Sequence, residues 1–201
     1  MFCYQCEETA RGTGCTVKGV CGKESATAGL MDVAIYLCKG IAERNIAAAK
    51  KGLENKDAGR FIAEVLFSTL TNVNFDDQRF RALIAQAIAI RDALPAAGTH
   101  EPEACTWTPK NDAEIAAKAE EIAQQANAND DVHSLRALLL FGLKGVAAYY
   151  HHAVVLGYTD EKITAFMQKG LASTLHDLPA SEMTALVLEC GGDRRGNARP
   201  P

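Results

Sequence analysis

The 201-residue chain has no large excess of either charge: 21 Lys and Arg against 25 Asp and Glu leave a formal net charge of -4. It therefore lacks the basic balance expected of a nucleic-acid-binding surface. No uninterrupted apolar run approaches the roughly 20 residues of a membrane-spanning helix. The longest, around Ala137–Phe141, is broken by Gly142 and Lys144. The opening Met1-Phe2-Cys3-Tyr4 has neither the basic nor the apolar region of a secretory leader, which predicts a cytoplasmic chain. No segment alternates with period two, so no strand is expected. No Ser/His/Asp series, phosphate loop or zincin helix is present, so no catalytic residue is nominated. A content of 48% hydrophobic and 23% charged residues excludes disorder as the general state.

What the chain does have is helical periodicity. Leu30, Val33, Ala34, Leu37, Cys38 and Ile41 recur every three or four residues, as one face of a helix does. Ile62, Val65, Leu66 and Thr69 form a second face. A third runs through Phe80, Leu83, Ile84, Ala87 and Ile88, with Asn74 as the expected N-cap. Residues 98–110 are non-periodic and predict a linker. Asn111 with Glu114 resembles a capping box for a fourth helix. Asp130 and Asp131 suit the start of a long fifth, through Leu135, Leu139, Val146 and Tyr149. Thr159 is the expected cap of a sixth helix, and a seventh follows Pro179.

The expected fold is all-α, with two antiparallel groups of about three helices. The expected organisation is a cysteine-rich loop at 1–23, a first bundle at 24–97, the linker at 98–110 and a second bundle at 111–192. Gly191-Gly192 interrupts a stripe that is still running, and the polar 193–201 is expected to be a disordered tail.

Seven cysteines are present, and four cluster as Cys3-x2-Cys6-x8-Cys15-x5-Cys21. In a reducing compartment such thiols serve as metal ligands rather than disulfides. Thiolate is a soft donor, which selects an iron–sulfur cluster or zinc. Structural zinc usually shows two tight pairs, and only the first pair here is tight. The wider later gaps favour a cluster without excluding zinc. Glycines 12, 14, 19 and 22 let the backbone approach sulfur, and Arg11, Lys18 and Lys23 can offset anionic charge. Cys38 and Cys190 fall on apolar stripes and read as packing residues; Cys105 reads as a linker thiol without a local partner. His151 and His152, adjacent on a helix, point about 100° apart and so favour one packed ring and one exposed ring over a shared metal.

Met-Phe-Cys-Tyr-Gln-Cys-Glu-Glu-Thr at 1–9, Gly14-Cys15-Thr16 and Gly19-Val20-Cys21-Gly22-Lys23 resemble the N-terminus of the hybrid cluster protein family, also called the hydroxylamine reductase or prismane family. Two further stretches carry the same resemblance. They are Phe67-Ser68-Thr69-Leu70-Thr71-Asn72-Val73-Asn74-Phe75-Asp76 and Leu143-Lys144-Gly145-Val146-Ala147-Ala148-Tyr149, continuing through His152-Ala153 to Val155-Leu156-Gly157.

The resemblance implies a helical N-terminal domain of two three-helix bundles. It implies that Cys3, Cys6, Cys15 and Cys21 ligate a [4Fe-4S] cluster serving electron transfer. It further implies a separate hybrid iron–sulfur–oxygen cluster, held by later domains, that reduces hydroxylamine to ammonia and water, with nitric oxide as another substrate. A small redox protein is the implied electron donor; neither nucleic acid nor membrane is an expected partner. The family's chains are much longer, so this sequence is expected to be a fragment, a premature stop or a frameshifted product, inactive alone and with bare apolar docking faces. Thr71 and Asn72 are candidates for the path between the clusters. Two other readings stay open: a stand-alone iron–sulfur carrier or sensor, and a zinc-stabilised helical interaction domain.

Overall fold

Helix α1 (Ser25–Ala49) was expected to bury one stripe, yet fourteen of its 25 residues are buried. Met31 and Ala42 are covered as fully as Leu37 and Ile41, and Ile35 nearly so. A helix covered over more than one face belongs in the middle of a fold, and α1 packs against α2 (Ala58–Ser68), α3 (Asp77–Ala93), α4 (Asp112–Gln124) and α6 (Glu161–Ser173). The computed structural model describes residues 2–6, 13–124 and 130–192. Among them are seven helices and no strand; α5 (Asp130–Val155) and α7 (Ala180–Gly192) complete the set. The fold is all-α.

One continuous core runs from Leu30 and Ile62 through Phe80 and Leu83 to Leu139, Leu143, Met167 and Met183. The helices before and after residues 98–110 therefore share one interior. Each large aliphatic or aromatic side chain fully buried there contributes about 1.5–3 kcal/mol of transfer free energy. Helix α5 packs against α2, α6 and α7. By length and composition alone Asp131–Val155 is apolar enough to cross a membrane, with Gly142 and Lys144 interrupting its apolar run. Leu138 and Tyr149 on this helix, together with Val155 at its end, are exposed.

Two expected caps shift. Asp76, not Asn74, caps α3, its carboxylate accepting from the backbone N–H groups of Gln78 and Arg79. The Asn74 side chain instead accepts from the Asp76 N–H at 2.9 Å, a turn that delivers Asp76 to the capping position. Asp160, not Thr159, caps α6 by accepting from Lys162 N–H at 2.8 Å. The start of α4 is as expected at Asn111, which accepts from Glu114 N–H at 3.0 Å.

The linker contains a 3-10 turn, Glu103–Cys105, packed on α1. Arg91, fully buried, donates to the carbonyls of Ala104 and Trp107 and to the Thr108 hydroxyl. Arg44 grips Glu101 with two hydrogen bonds of 3.0 and 2.7 Å. Cys105 accordingly has partners that its sequence neighbourhood did not reveal: it is fully buried, with Sγ 3.8 Å from the Gly40 carbonyl oxygen. The expected tail at 193–201 lies outside the described residues, as do Arg11 and Gly12.

Candidate cofactor site

The segment before α1 is tied to itself by a backbone hydrogen bond. Phe2 N–H donates to the Cys15 carbonyl at 3.0 Å, so the chain just before Cys3 lies against Cys15. The chain then turns tightly before α1: Gly19 N–H donates to Lys23 O, and Gly22 N–H to Gly19 O, both at 2.8 Å. Gly22 takes a φ of 96°, which side chains rarely adopt. A Cβ on Gly19 would stand 2.9 Å from the Lys23 carbonyl oxygen and 3.3 Å from the Cys21 sulfur.

This folding brings Cys3, Cys6, Cys15 and Cys21 to the wall of one cavity of about 240 Å³. Cys3 and Cys15 are buried, Cys21 is half-buried and Cys6 is exposed. The opposite wall is the loop after α2, through Thr69, Thr71 and Asn72. Those two candidates, Thr71 and Asn72, thus lie beside the thiols. Burial raises the Cys3 thiol; the Gln5 backbone N–H works against it, while Asp32, Cys15 and Cys6 push it further up. A metal bound there would have to displace that proton.

One buried lysine lines the cavity and a second bonds to Gln5 on its wall. Lys23 is 1% exposed, lines the cavity, donates to the Leu70 carbonyl at 3.1 Å and lies 4.4 Å above the Phe75 ring. Lys144 of α5 is 2% exposed and donates to the Gln5 side-chain oxygen at 2.7 Å and to its main-chain oxygen at 3.3 Å. The Gln5 amide nitrogen donates in turn to Asp32. Burial pushes the Lys144 ammonium down to about 8, with Asp32, Cys3 and Cys6 pulling it back up. Burial pushes the Asp32 carboxyl up to about 7, against the pull of Lys144 and Lys39. Lys18, expected as a counter-charge, is instead exposed and paired with Glu24 at 3.1 Å.

Buried ammonium groups are costly unless an anion answers them. Lys23 and Lys144 beside four soft thiols suit an anionic iron–sulfur group, and the donor set and cavity fit it. Among the described residues, no three His, Cys, Asp or Glu side chains gather closely enough to hold a single metal ion.

The remaining cysteines lie apart from this cavity. Cys38 is fully buried on α1 and burial alone drives its thiol far up; burial raises Cys105 to about 11. Cys190 is half-buried, and a Cβ on Gly142 would come within 2.8 Å of its sulfur. The His151 ring stacks on Phe67 at 4.5 Å, and His152, exposed, meets the same Phe67 edge-on at 5.5 Å, so both rings rest on one phenylalanine. Sequence reasoning missed Gln5, Asp32 and the role of Lys144. The available signal was a lysine set within an otherwise apolar stretch of α5.

Fold and site together define an all-helical domain with a cysteine-lined cavity formed by its N-terminal loop. The chain belongs to the Prismane/CO dehydrogenase family, whose profile matches residues 1–194. Proteins of this family bind iron–sulfur clusters. The chain is 49% identical over 200 residues to a hydroxylamine reductase of Desulfitobacterium hafniense (strain DSM 10664 / DCB-2), covering 95% of this chain and 36% of that protein. It is 45% identical over 205 residues to a hydroxylamine reductase of Nitratidesulfovibrio vulgaris, covering 96% and 37%. A hydroxylamine reductase of Parabacteroides distasonis is 45% identical over 199 residues, covering 95% and 36%. The chain thus spans little more than a third of the length of these relatives, and its family resemblance is to oxidoreductases.

Proposed function

We propose that Cys3, Cys6, Cys15 and Cys21 hold a [4Fe-4S] cluster, and that the chain is the electron-entry domain of a hydroxylamine-reducing protein. The observation that carries this reading is the four thiols around one cavity with the buried Lys23 and Lys144 beside them. A ring of thiols around a cavity suits a multi-iron core more than a lone zinc ion, which calls for four donors converging on one point. The bound cluster would supply a one-electron redox centre. The chain's own residues bury two of its ligands, Cys3 and Cys15, leave Cys6 at the surface where a small redox protein can approach, and balance anionic charge with lysine.

The reaction for the whole protein is hydroxylamine plus two electrons and two protons giving ammonia and water, with nitric oxide as a further substrate. Its hybrid iron–sulfur–oxygen centre would be held by residues other than these 201, and no residue here is assigned a catalytic role. A cytoplasmic, reducing location fits seven free thiols.

The test is oxygen-free purification followed by assay of iron and acid-labile sulfide. Iron and sulfide in equal amounts, lost in Cys6→Ser and Cys15→Ser, support the reading. A colourless protein that contains zinc and no sulfide overturns it.

A further inference from the structure

The turn that carries Cys3 and Cys6 is held from a distance. Gln5, 6% exposed, lies between these two cysteines with each end of its amide matched to an opposite charge. Its side-chain oxygen accepts from Lys144, 139 positions along the chain, and its nitrogen donates to Asp32 on α1. The same Lys144 ammonium also reaches the Gln5 main-chain carbonyl, at 3.3 Å. Reversing the amide would set nitrogen against ammonium and oxygen against carboxylate, so its orientation is fixed.

We propose that Lys144 is a positioning residue: through Gln5, anchored on its other side by Asp32, it clamps the Cys3–Cys6 turn in shape before any metal arrives and sets a positive charge beside the two thiols. Two observations support this. Lys144 is buried in α5, whose packing on α2, α6 and α7 fixes where the ammonium can go. Gln5 adjoins Cys6 in sequence and lines the same cavity as the thiols, so the ammonium 3.3 Å from its main-chain oxygen stands close to the Cys3–Cys6 turn. The clamp itself does not depend on what the thiols bind; its effect on redox potential rests on the cluster reading. A reduced cluster carries one more negative charge than an oxidised one, so a nearby buried cation favours reduction.

The clamp is tested in the metal-free 201-residue chain by site-resolved alkylation under anaerobic conditions. Lys144→Met is expected to speed modification of Cys3 by about tenfold, while the core thiol Cys38 stays protected. Gln5→Ala is expected to do the same and leaves the α5 core intact, which covers the case in which Lys144→Met fails to fold. Asp32→Asn keeps an acceptor for the Gln5 amide and is expected to leave Cys3 protected. In the iron-loaded protein, Lys144→Met is expected to weaken reduction about tenfold, a potential lower by about 59 mV for a one-electron couple, and Asp32→Asn to shift it upward. A purely structural role would give no such opposite shifts. Unchanged Cys3 reactivity in both Lys144→Met and Gln5→Ala overturns the clamp. An unchanged potential in Lys144→Met overturns its electrostatic half. Failure of the parent chain to take up iron would sink the cluster reading alone, because the alkylation result still decides the clamp.

Discussion

Asn45 on α1 donates to the side-chain oxygen of Gln168 on α6 at 2.7 Å, a buried contact between residues 123 positions apart. The same Asn45 closes a pair of hydrogen bonds with the backbone of Asn55, accepting from its N–H at 2.7 Å and donating to its carbonyl at 3.2 Å. One amide therefore fastens the α1–α2 connection and joins helices from opposite ends of the sequence. Removing it strands the Asn55 N–H and the Gln168 oxygen, and each buried polar group left unpaired costs about 1–3 kcal/mol. Asn45→Ala is expected to lower unfolding free energy by about 2–4 kcal/mol in urea titration. The Asn45→Ala/Gln168→Ala double variant should lose less than the sum of the singles, because the two act as a unit.

Gly40 governs how closely α1 approaches the linker. A Cβ there would overlap the Ala104 carbonyl and stand 2.6 Å from its carbon and 3.0 Å from the Cys105 nitrogen, all of it backbone that cannot rotate away. Gly40→Ala is expected to cost about 3 kcal/mol, read as a lower melting temperature. Gly145, exposed on α5, is the control: nothing lies within 4 Å of its added Cβ. Gly145→Ala should stabilise by about 0.5–1 kcal/mol, through helix propensity and a less disordered unfolded chain.

How much of this could be seen in the amino-acid order depended on range. The cysteine spacing and the three- and four-residue periods are both local: the periods pointed to the all-α fold, and the spacing singled out the four thiols that line the cavity. The caps of α3 and α6 missed by one or two residues because Asn74 and Thr159 stand next to better acceptors, Asp76 and Asp160, whose geometry emerges only in the turn. The wider burial of α1 was hidden because buried Thr27 and Asn45 and the small Ala28, Gly40, Ala42 and Ala48 dilute the apolar signal of Met31 and Ile35. Gln5 and Lys144 are 139 residues apart, and no periodicity links them. Cys105 looked partnerless for the same reason, since Gly40 is 65 positions away.

Arg44 and Glu101 form a pair largely shielded from water, their side chains 12% and 8% exposed. The Arg44 hydrogen bonds, with help from the Ala97 N–H, hold the Glu101 carboxyl below its ordinary 4.5. A depressed carboxylate contributes stability that is fully present above its unfolded value and is lost as pH falls through the folded one. Glu101→Gln is therefore expected to cost about 2 kcal/mol at neutral pH. The gap from the parent protein should narrow as the solution is acidified below 4.5. Urea midpoints of both proteins along a pH series check this, and a gap that widens on acidification would contradict it.

Asn72 lines the thiol cavity with a φ of 61°, the left-handed region that asparagine tolerates and β-branched side chains do not. Its loop is pinned from below by Lys23, which donates to the Leu70 carbonyl. The backbone conformation and the side chain can therefore be tested separately. Asn72→Gly keeps the conformation and removes the amide; Asn72→Val keeps bulk and strains the turn by about 1–2 kcal/mol. If the loop acts as a wall of the site through its backbone, Asn72→Gly should retain iron and melt near the parent temperature, while Asn72→Val should melt lower and release iron faster to a chelator. If the amide itself contacts the bound group, Asn72→Gly should shift the reduction potential with little change in melting. Measuring chelator release and potential on the same two variants separates a structural loop from one that tunes the centre.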